Sequence, residues 1–186
     1  MQIIGTFNRK RLVIFITVPV ILVAALIGLD QISKYFAARD EVDTAVIDGF
    51  FYLTYSTNRG AGFSFLADKD WGQLLFKIIT PFALIAFFAF YVFAMKKSYK
   101  WLTYSLALII AGTVGNYIDR LINSEVVDFL SFRFGNYFFP TFNVADMCLT
   151  VGVIMLIIHF LFLDNAAVFK KKSTPSDGDG KDDENA

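Results

Sequence analysis

Two asparagine–aspartate pairs of the same spacing, Asn116-x-x-Asp119 and Asn143-x-x-Asp146, lie at neighbouring ends of two apolar runs. Residues three apart share a helix face, so each pair presents an amide beside a carboxyl group. A further carboxylate, Asp128, sits in the apolar stretch Val126-Val127-Asp128-Phe129-Leu130. Two nearby carboxylates in a low-dielectric setting cannot both be charged cheaply, and one keeps a proton. The charged member of such a pair activates water, while the neutral member polarises a carbonyl or protonates a leaving group. That chemistry is peptide hydrolysis by the aspartic mechanism, and it requires no metal. The same residues also suit a polar helix-packing network or a path for ions or protons. Periodicity does not select which two of Asp119, Asp128 and Asp146 pair. Asp119 directly precedes Arg120, a neighbour suited to an internal ion pair or a surface anchor. The apolar setting of Asp128 favours a raised pKa and leans the choice towards Asp128 with Asp146. The asparagines and Arg120 are suited to orienting carboxylates by hydrogen bonding.

Other chemistries have little to work with. Cys148 and His159 are the only residues of their types, and each lies in an apolar run. This excludes a disulfide framework and His/Cys metal-ligand spacing, so no metal or cofactor is expected. Net charge is zero, and no basic stripe interleaved with aromatics suggests nucleic acid as a partner.

The elements that must carry these groups are membrane helices. The 186 residues are 56% hydrophobic and 18% charged, with 22 phenylalanines, more than the surface of a soluble domain of this length accommodates. Spans are expected near residues 12–29, 74–95, 101–118 and 144–163. The first run follows Arg9, Lys10 and Arg11, yet it is too long for a signal-peptide core and ends without an A-x-A site, so it reads as a retained span. Asp30 and Lys34, four apart, follow it and share a helix face, either as a local ion pair finishing the helix or as part of a site. Residues 40–71 are mixed: Phe50–Tyr55 and Phe63–Leu66 are strand-like, and Thr57–Gly62 reads as a turn. A small sheet outside the membrane, on its surface, accommodates both pieces. Residues 121–142 are expected to return to the membrane without a soluble loop. Residues 1–169 form one domain in this reading, and the Lys-rich, then Asp/Gly/Ser-rich residues 170–186 form a disordered tail. Lys and Arg cluster in the N-terminal tail, in the connection after the second span and in the C-terminal tail. Both termini are therefore expected in the cytoplasm and the aspartates at the outer face.

Five blocks in order make the chain resemble bacterial lipoprotein signal peptidase, also called signal peptidase II. They are Asp30-Gln31-x-x-Lys34, Asn58-x-Gly60-Ala61-x-Phe63-Ser64, Gly115-Asn116-x-x-Asp119-Arg120, Val126-Val127-Asp128-Phe129 and Phe142-Asn143-x-Ala145-Asp146. Each is weak alone; together they are specific, and the resemblance extends from about Leu12 to Leu163. It implies an all-α membrane fold, a four-transmembrane-helix bundle with a small extracytoplasmic β-cradle and a surface helix. It implies an aspartic endopeptidase of the bacterial inner membrane that cuts diacylglyceryl-modified prolipoproteins just before the lipidated cysteine, with Asp128 and Asp146 catalytic. Positions matching Asp30, Lys34, Asn58, Gly60, Asn116, Asp119, Arg120, Asn143 and Ala145 are implied to support the site or bind substrate. Membrane lipids are expected partners, globomycin an expected inhibitor and a monomer the expected state. The departures are Gly62, where alanine is common, and Met147, where serine or threonine is common. The alternatives outside this family are a small ion- or proton-conducting protein and a non-enzymatic membrane assembly subunit.

Overall fold

The computed structural model describes residues 9–60 and 71–163. Four helices are long and apolar enough to cross a membrane: α1 (Arg9–Arg39), α2 (Gly72–Lys96), α3 (Lys100–Asn123) and α4 (Val144–Leu163). In the most apolar window of α3, 56% of residues are buried, against 11%, 11% and 17% in α1, α2 and α4. The third helix is therefore the centre of the bundle, and the other three turn apolar side chains such as Ile21, Phe82, Ile85 and Ile154 outwards to lipid.

Lipid-facing apolar surface gives these helices no hydrophobic drive towards one another, so close packing and interhelical hydrogen bonds must hold them. Glycines allow the first. A Cβ on Gly112 would overlap the Ala145 carbonyl oxygen, and one on Gly152 would lie 2.7 Å from Ile109 Cγ1. The prolines create openings for the second. Pro19 lacks an N–H, which leaves the Phe15 carbonyl without its usual helical donor. The chain widens into a π-turn over Val13–Thr17 just before it, and the Tyr91 hydroxyl donates to Phe15 O at 2.5 Å. Pro81 likewise frees the carbonyl of Lys77, to which the Tyr117 hydroxyl donates at 3.2 Å. Each proline thus exposes a carbonyl that a tyrosine from another span satisfies, as a membrane interior demands. At the end of the bundle opposite the sheet, the Arg11 guanidinium donates to Ser98 Oγ, joining the start of α1 to the α2–α3 connection.

A four-stranded antiparallel sheet caps the other end, in the order β1 (Asp43–Ile47), β2 (Phe51–Asn58), β3 (Val126–Phe134) and β4 (Tyr137–Phe138). β2 and β3 join Asn58 to Val126 and Ser56 to Asp128 in register. Leu130 bridges to Phe142, which brings the chain back to the start of α4.

Three expectations change. Residues 121–142 do not return to the membrane as expected: α3 continues to Asn123, and β3 follows as a strand of the sheet. The first span does not stop at Leu29, because its helix runs on to Arg39 and carries Asp30 and Lys34 in its interior. Thr57 and Asn58, read as a turn, lie on β2, and β1 was not anticipated. The strand expected at Phe63–Leu66, the positions Ala61 to Ser64 of the second block and the C-terminal tail lie outside the described residues.

The packing argument makes a contrast. Gly112→Ala should destabilise the protein by about 1–3 kcal/mol through overpacking. Gly28→Ala, with nothing within 4 Å of the added Cβ and a helical backbone, should not destabilise it and should raise the unfolding temperature in detergent slightly, through about 0.4–1 kcal/mol of added stability.

Candidate active site

Lys34 is the first fixed point. Its ammonium group is buried and spends its three protons on three acceptors: Asp30 Oδ2 at 2.8 Å, Asp119 Oδ2 at 2.9 Å and Asn116 Oδ1 at 3.0 Å. Each partner passes the restraint on. Asp30 Oδ1 accepts from the Ala145 N–H at 2.8 Å, in the unpaired first turn of α4. Asp119 Oδ2 accepts from the Val127 N–H at 3.2 Å, which pins β3 one residue before Asp128. Gln31, to which the sequence assigned no role, donates its Nε2 towards Asp119 Oδ1 at 3.0 Å, Gly115 O at 3.1 Å and Asp30 Oδ2 at 3.2 Å. Gly115 is required here, since a Cβ on it would stand 2.6 Å from Asp30 Oδ2. The buried Ala145 methyl lies against the same spot.

Asn143 is the second. It caps α4: its Oδ1 accepts from the Asp146 N–H at 2.9 Å, while Asp146 Oδ2 accepts from the Asn143 N–H at 3.2 Å. This reciprocal capping box fixes the Asp146 carboxylate at a helix N-terminus, where negative charge is favoured. The Asn143 Nδ2 donates to Asp128 Oδ1 at 2.7 Å, with Asn116 Oδ1 at 3.1 Å and Val127 O at 3.2 Å also in reach. One fully buried side chain therefore locates both Asp128 and Asp146. Asn116 completes the arrangement by donating Nδ2 to Asp146 Oδ1 at 2.8 Å.

Asn58, at the end of β2, accepts the Gly60 N–H on Oδ1 at 2.8 Å, which turns its Nδ2 towards Asp128 Oδ2 at 3.4 Å. Arg120 holds the Gly60 carbonyl through Nη2 at 2.9 Å and Asn116 O through Nη1 at 3.3 Å. Its guanidinium also lies 5.1 Å from the centre of the Phe76 ring. Asp30, Lys34, Asn58, Gly60, Asn116, Asp119, Arg120, Asp128, Asn143, Ala145 and Asp146 thus join one connected set, and Asp119 joins it through Lys34 rather than through Arg120.

Asp128 and Asp146 both line a cavity of about 640 Å³, open to the outside of the bundle. Phe76, Thr80, Thr113 and Thr150 wall its membrane end, and Phe139 to Phe142 wall its sheet end. Among the described residues neither Asp128 nor Asp146 forms a salt bridge. Burial first, and the Asp146 carboxylate second, push Asp128 up to about 7, against the opposing pull of Asn143, Asn58 and Lys34. A protonated and an ionised carboxyl group can therefore coexist here near neutral pH. No group of three or more His, Cys, Asp or Glu suited to a metal ion occurs among the described residues.

Four membrane-length helices that present two carboxylates at one water-accessible cavity define an integral-membrane protein of the aspartic-hydrolase kind. Comparison with known proteins agrees. A family model described as signal peptidase (SPase) II matches residues 22–162. A lipoprotein signal peptidase of Bacillus pumilus (strain SAFR-032) is 40% identical over 144 residues, covering 76% of this chain and 90% of the relative. Two solved structures, each described as a bacterial membrane enzyme, are 35% identical, with TM-scores of 0.69 and 0.66. Both alignments cover 79% of this chain, and they cover 89% and 94% of the respective structures. The chain belongs to the signal peptidase II family. It is a membrane aspartic peptidase acting in lipoprotein processing, and membership selects cleavage of prolipoprotein signal peptides over ion conduction or a purely structural role.

The Lys34 knot is open to test. Lys34→Met strands two buried carboxylates, and breaking a buried pair in this way costs about 3–5 kcal/mol. Unfolding in detergent should show that loss, and Lys34→Met with Asp119→Asn should recover part of it by removing one stranded charge.

Proposed function

We propose that Asp128 and Asp146 are the catalytic pair and that they cut diacylglyceryl-modified prolipoproteins just before the lipidated cysteine. The observation that carries this reading is the Asn143 side chain, which donates to Asp128 while it caps the helix that holds Asp146. Asp30 and Asp119 already share the Lys34 charge, so they do not have the free carboxylate chemistry that Asp128 and Asp146 retain.

In the reaction, the ionised carboxylate takes a proton from water as the water oxygen attacks the scissile carbonyl carbon. The protonated carboxyl group gives its proton to the carbonyl oxygen, and a tetrahedral diol forms. Collapse of the diol breaks the C–N bond: the leaving amine receives the proton that the first carboxylate collected, and a diol hydroxyl returns its proton to the second carboxylate, which restores the starting pair. Asn116, Asn143 and Asn58 keep the carboxyl groups in place throughout, and Asp30, Lys34, Asp119, Arg120, Gly60 and Ala145 support the frame that holds them. The signal segment and the acyl chains remain in lipid while the scissile bond reaches the cavity.

The same reading takes the protein as a monomeric, single-domain enzyme over residues 1–169, with residues 170–186 as a cytoplasmic tail. It resides in the bacterial inner membrane, with both termini in the cytoplasm and the sheet as a cradle at the outer face, accompanied by a surface helix. Support for the orientation comes from Arg9, Lys10 and Arg11 at one end of α1 and Lys96, Lys97 and Lys100 beside it, opposite the aspartates. The contact of Arg11 with Ser98 places those two basic clusters at one end. Globomycin is the expected inhibitor and surrounding lipid the expected partner.

Purified protein should cut a diacylglyceryl-modified prolipoprotein at the bond before its cysteine, and it should leave the unmodified precursor intact. Fragment masses decide this; a cut elsewhere, or equal cutting of both substrates, contradicts it. Activity should survive chelation. The rate should also fall as pH rises through about 7, because Asp128 holds its proton below that value and loses it above.

A further inference from the structure

We propose that Met147 sets the size limit for the substrate side chain immediately before the scissile bond. The inference rests on the catalytic pair proposed above and concerns which substrates that pair accepts.

The cavity has two different ends. Asn58, Val126 and the Phe139–Phe142 segment form the end nearer the sheet. Side chains from α2, α3 and α4 form the end within the bundle. A signal segment is apolar and comes from the membrane, whereas the mature protein leaves outwards. Residues before the cut therefore occupy the bundle end, and residues after it pass the sheet.

At the bundle end Met147 is the wall residue next to the chemistry. It follows Asp146 directly, and its N–H donates to the Asn143 carbonyl at 3.2 Å. Its backbone is thus held by the same cap that fixes Asp146. Met147 is 49% exposed and is among the residues that line the cavity. Thr150 and Val151, three and four residues on, continue the same helix face along the cavity. Phe76 and Thr80, four apart on α2, belong to the opposite wall. A peptide with its carbonyl at the carboxylates and its preceding residues in the bundle end brings the preceding side chain towards the wall that Met147 shares. The methionine side chain is unbranched and fills irregular gaps, so it leaves space for a small group and must be displaced by a large one. Serine or alanine at this position would open that space.

Each unaccommodated methylene in such a pocket is worth roughly 10- to 200-fold in discrimination. The test compares two diacylglyceryl-modified prolipoprotein peptides, one with alanine and one with leucine before the modified cysteine. Wild-type protein should favour the alanine substrate in kcat/KM. Met147→Ala should shift the ratio towards leucine by about tenfold or more. Met147→Phe should shift it away from leucine, and Met147→Leu, of similar bulk, should hold the wild-type ratio. Because the readout is a ratio within one protein sample, a general loss of activity does not imitate it. Unchanged ratios in Met147→Ala and Met147→Phe overturn the proposal, as does a wild-type enzyme indifferent to the two peptides. A shift in preference for acyl-chain length instead, with the alanine-to-leucine ratio fixed, also overturns it and places Met147 on the lipid path. Failure of the catalytic-pair reading looks different: folded Asp128→Asn or Asp146→Asn still cuts the peptides before the cysteine.

Discussion

A single buried ammonium group holds the architecture together. Lys34 meets Asp30, Asp119 and Asn116, so one residue of α1 fixes two points on α3 and, through Asp30, the first turn of α4. Through Asp119 it also fixes the N–H of Val127 on β3. Individual hydrogen bonds between membrane helices average about 0.6 kcal/mol, because the separated helices also find partners in lipid. An ion pair with every proton used is of another order, since breaking it leaves a charge where no water can reach. The remaining contacts between spans, including the tyrosine bonds to the carbonyls freed by Pro19 and Pro81, adjust a bundle that the lysine has already registered.

This knot separates four buried or partly buried aspartates into two kinds. Asp30 and Asp119 surround a cation and are structural in consequence. Asp128 and Asp146 have amides for partners instead, and they face the cavity. Amides orient a carboxyl group without the full charge of a cation beside it, and the proposed mechanism needs a carboxyl group that can exchange a proton with substrate. The capping box adds an asymmetry: Asp146 is fixed at the start of a helix, and Asp128 stands on a strand. In the proposed mechanism, stability and chemistry thus fall to different carboxylates within one network.

Much of this was legible in the sequence where the relevant spacing is local. Four apolar runs gave the spans, and the four-residue spacing of Asp30 and Lys34 correctly placed them on one face. The repeated Asn-x-x-Asp spacing picked out residues of the network but not their partners, since the Asn116 amide donates to Asp146 and the Asn143 amide to Asp128. Long-range partners were not legible. Asp119 looked committed to Arg120 because they are adjacent, but successive helix residues point in different directions, and its cation proved to be Lys34. The strand Val126–Phe134 was mistaken for membrane-returning chain. Its first four residues are buried on both faces, and such strands lose the alternation that would reveal them. β1 has the opposite difficulty, being exposed throughout and carrying no buried face to set a pattern. Gln31 stood in the first block beside Asp30, but nothing in the sequence gave it a role.

The most direct test of this division of labour is single-turnover cleavage by Asp119→Asn, Asp128→Asn and Asp146→Asn, each matched for folding and for substrate binding. Replacing carboxylate by amide nearly conserves volume, so the comparison isolates charge and proton transfer. Asp128→Asn and Asp146→Asn should bind lipidated substrate and lose cleavage by several orders of magnitude. Asp119→Asn should be less stable yet retain measurable turnover in its folded fraction. Near-normal cleavage by folded Asp128→Asn or Asp146→Asn, or selective abolition by Asp119→Asn, would contradict the account.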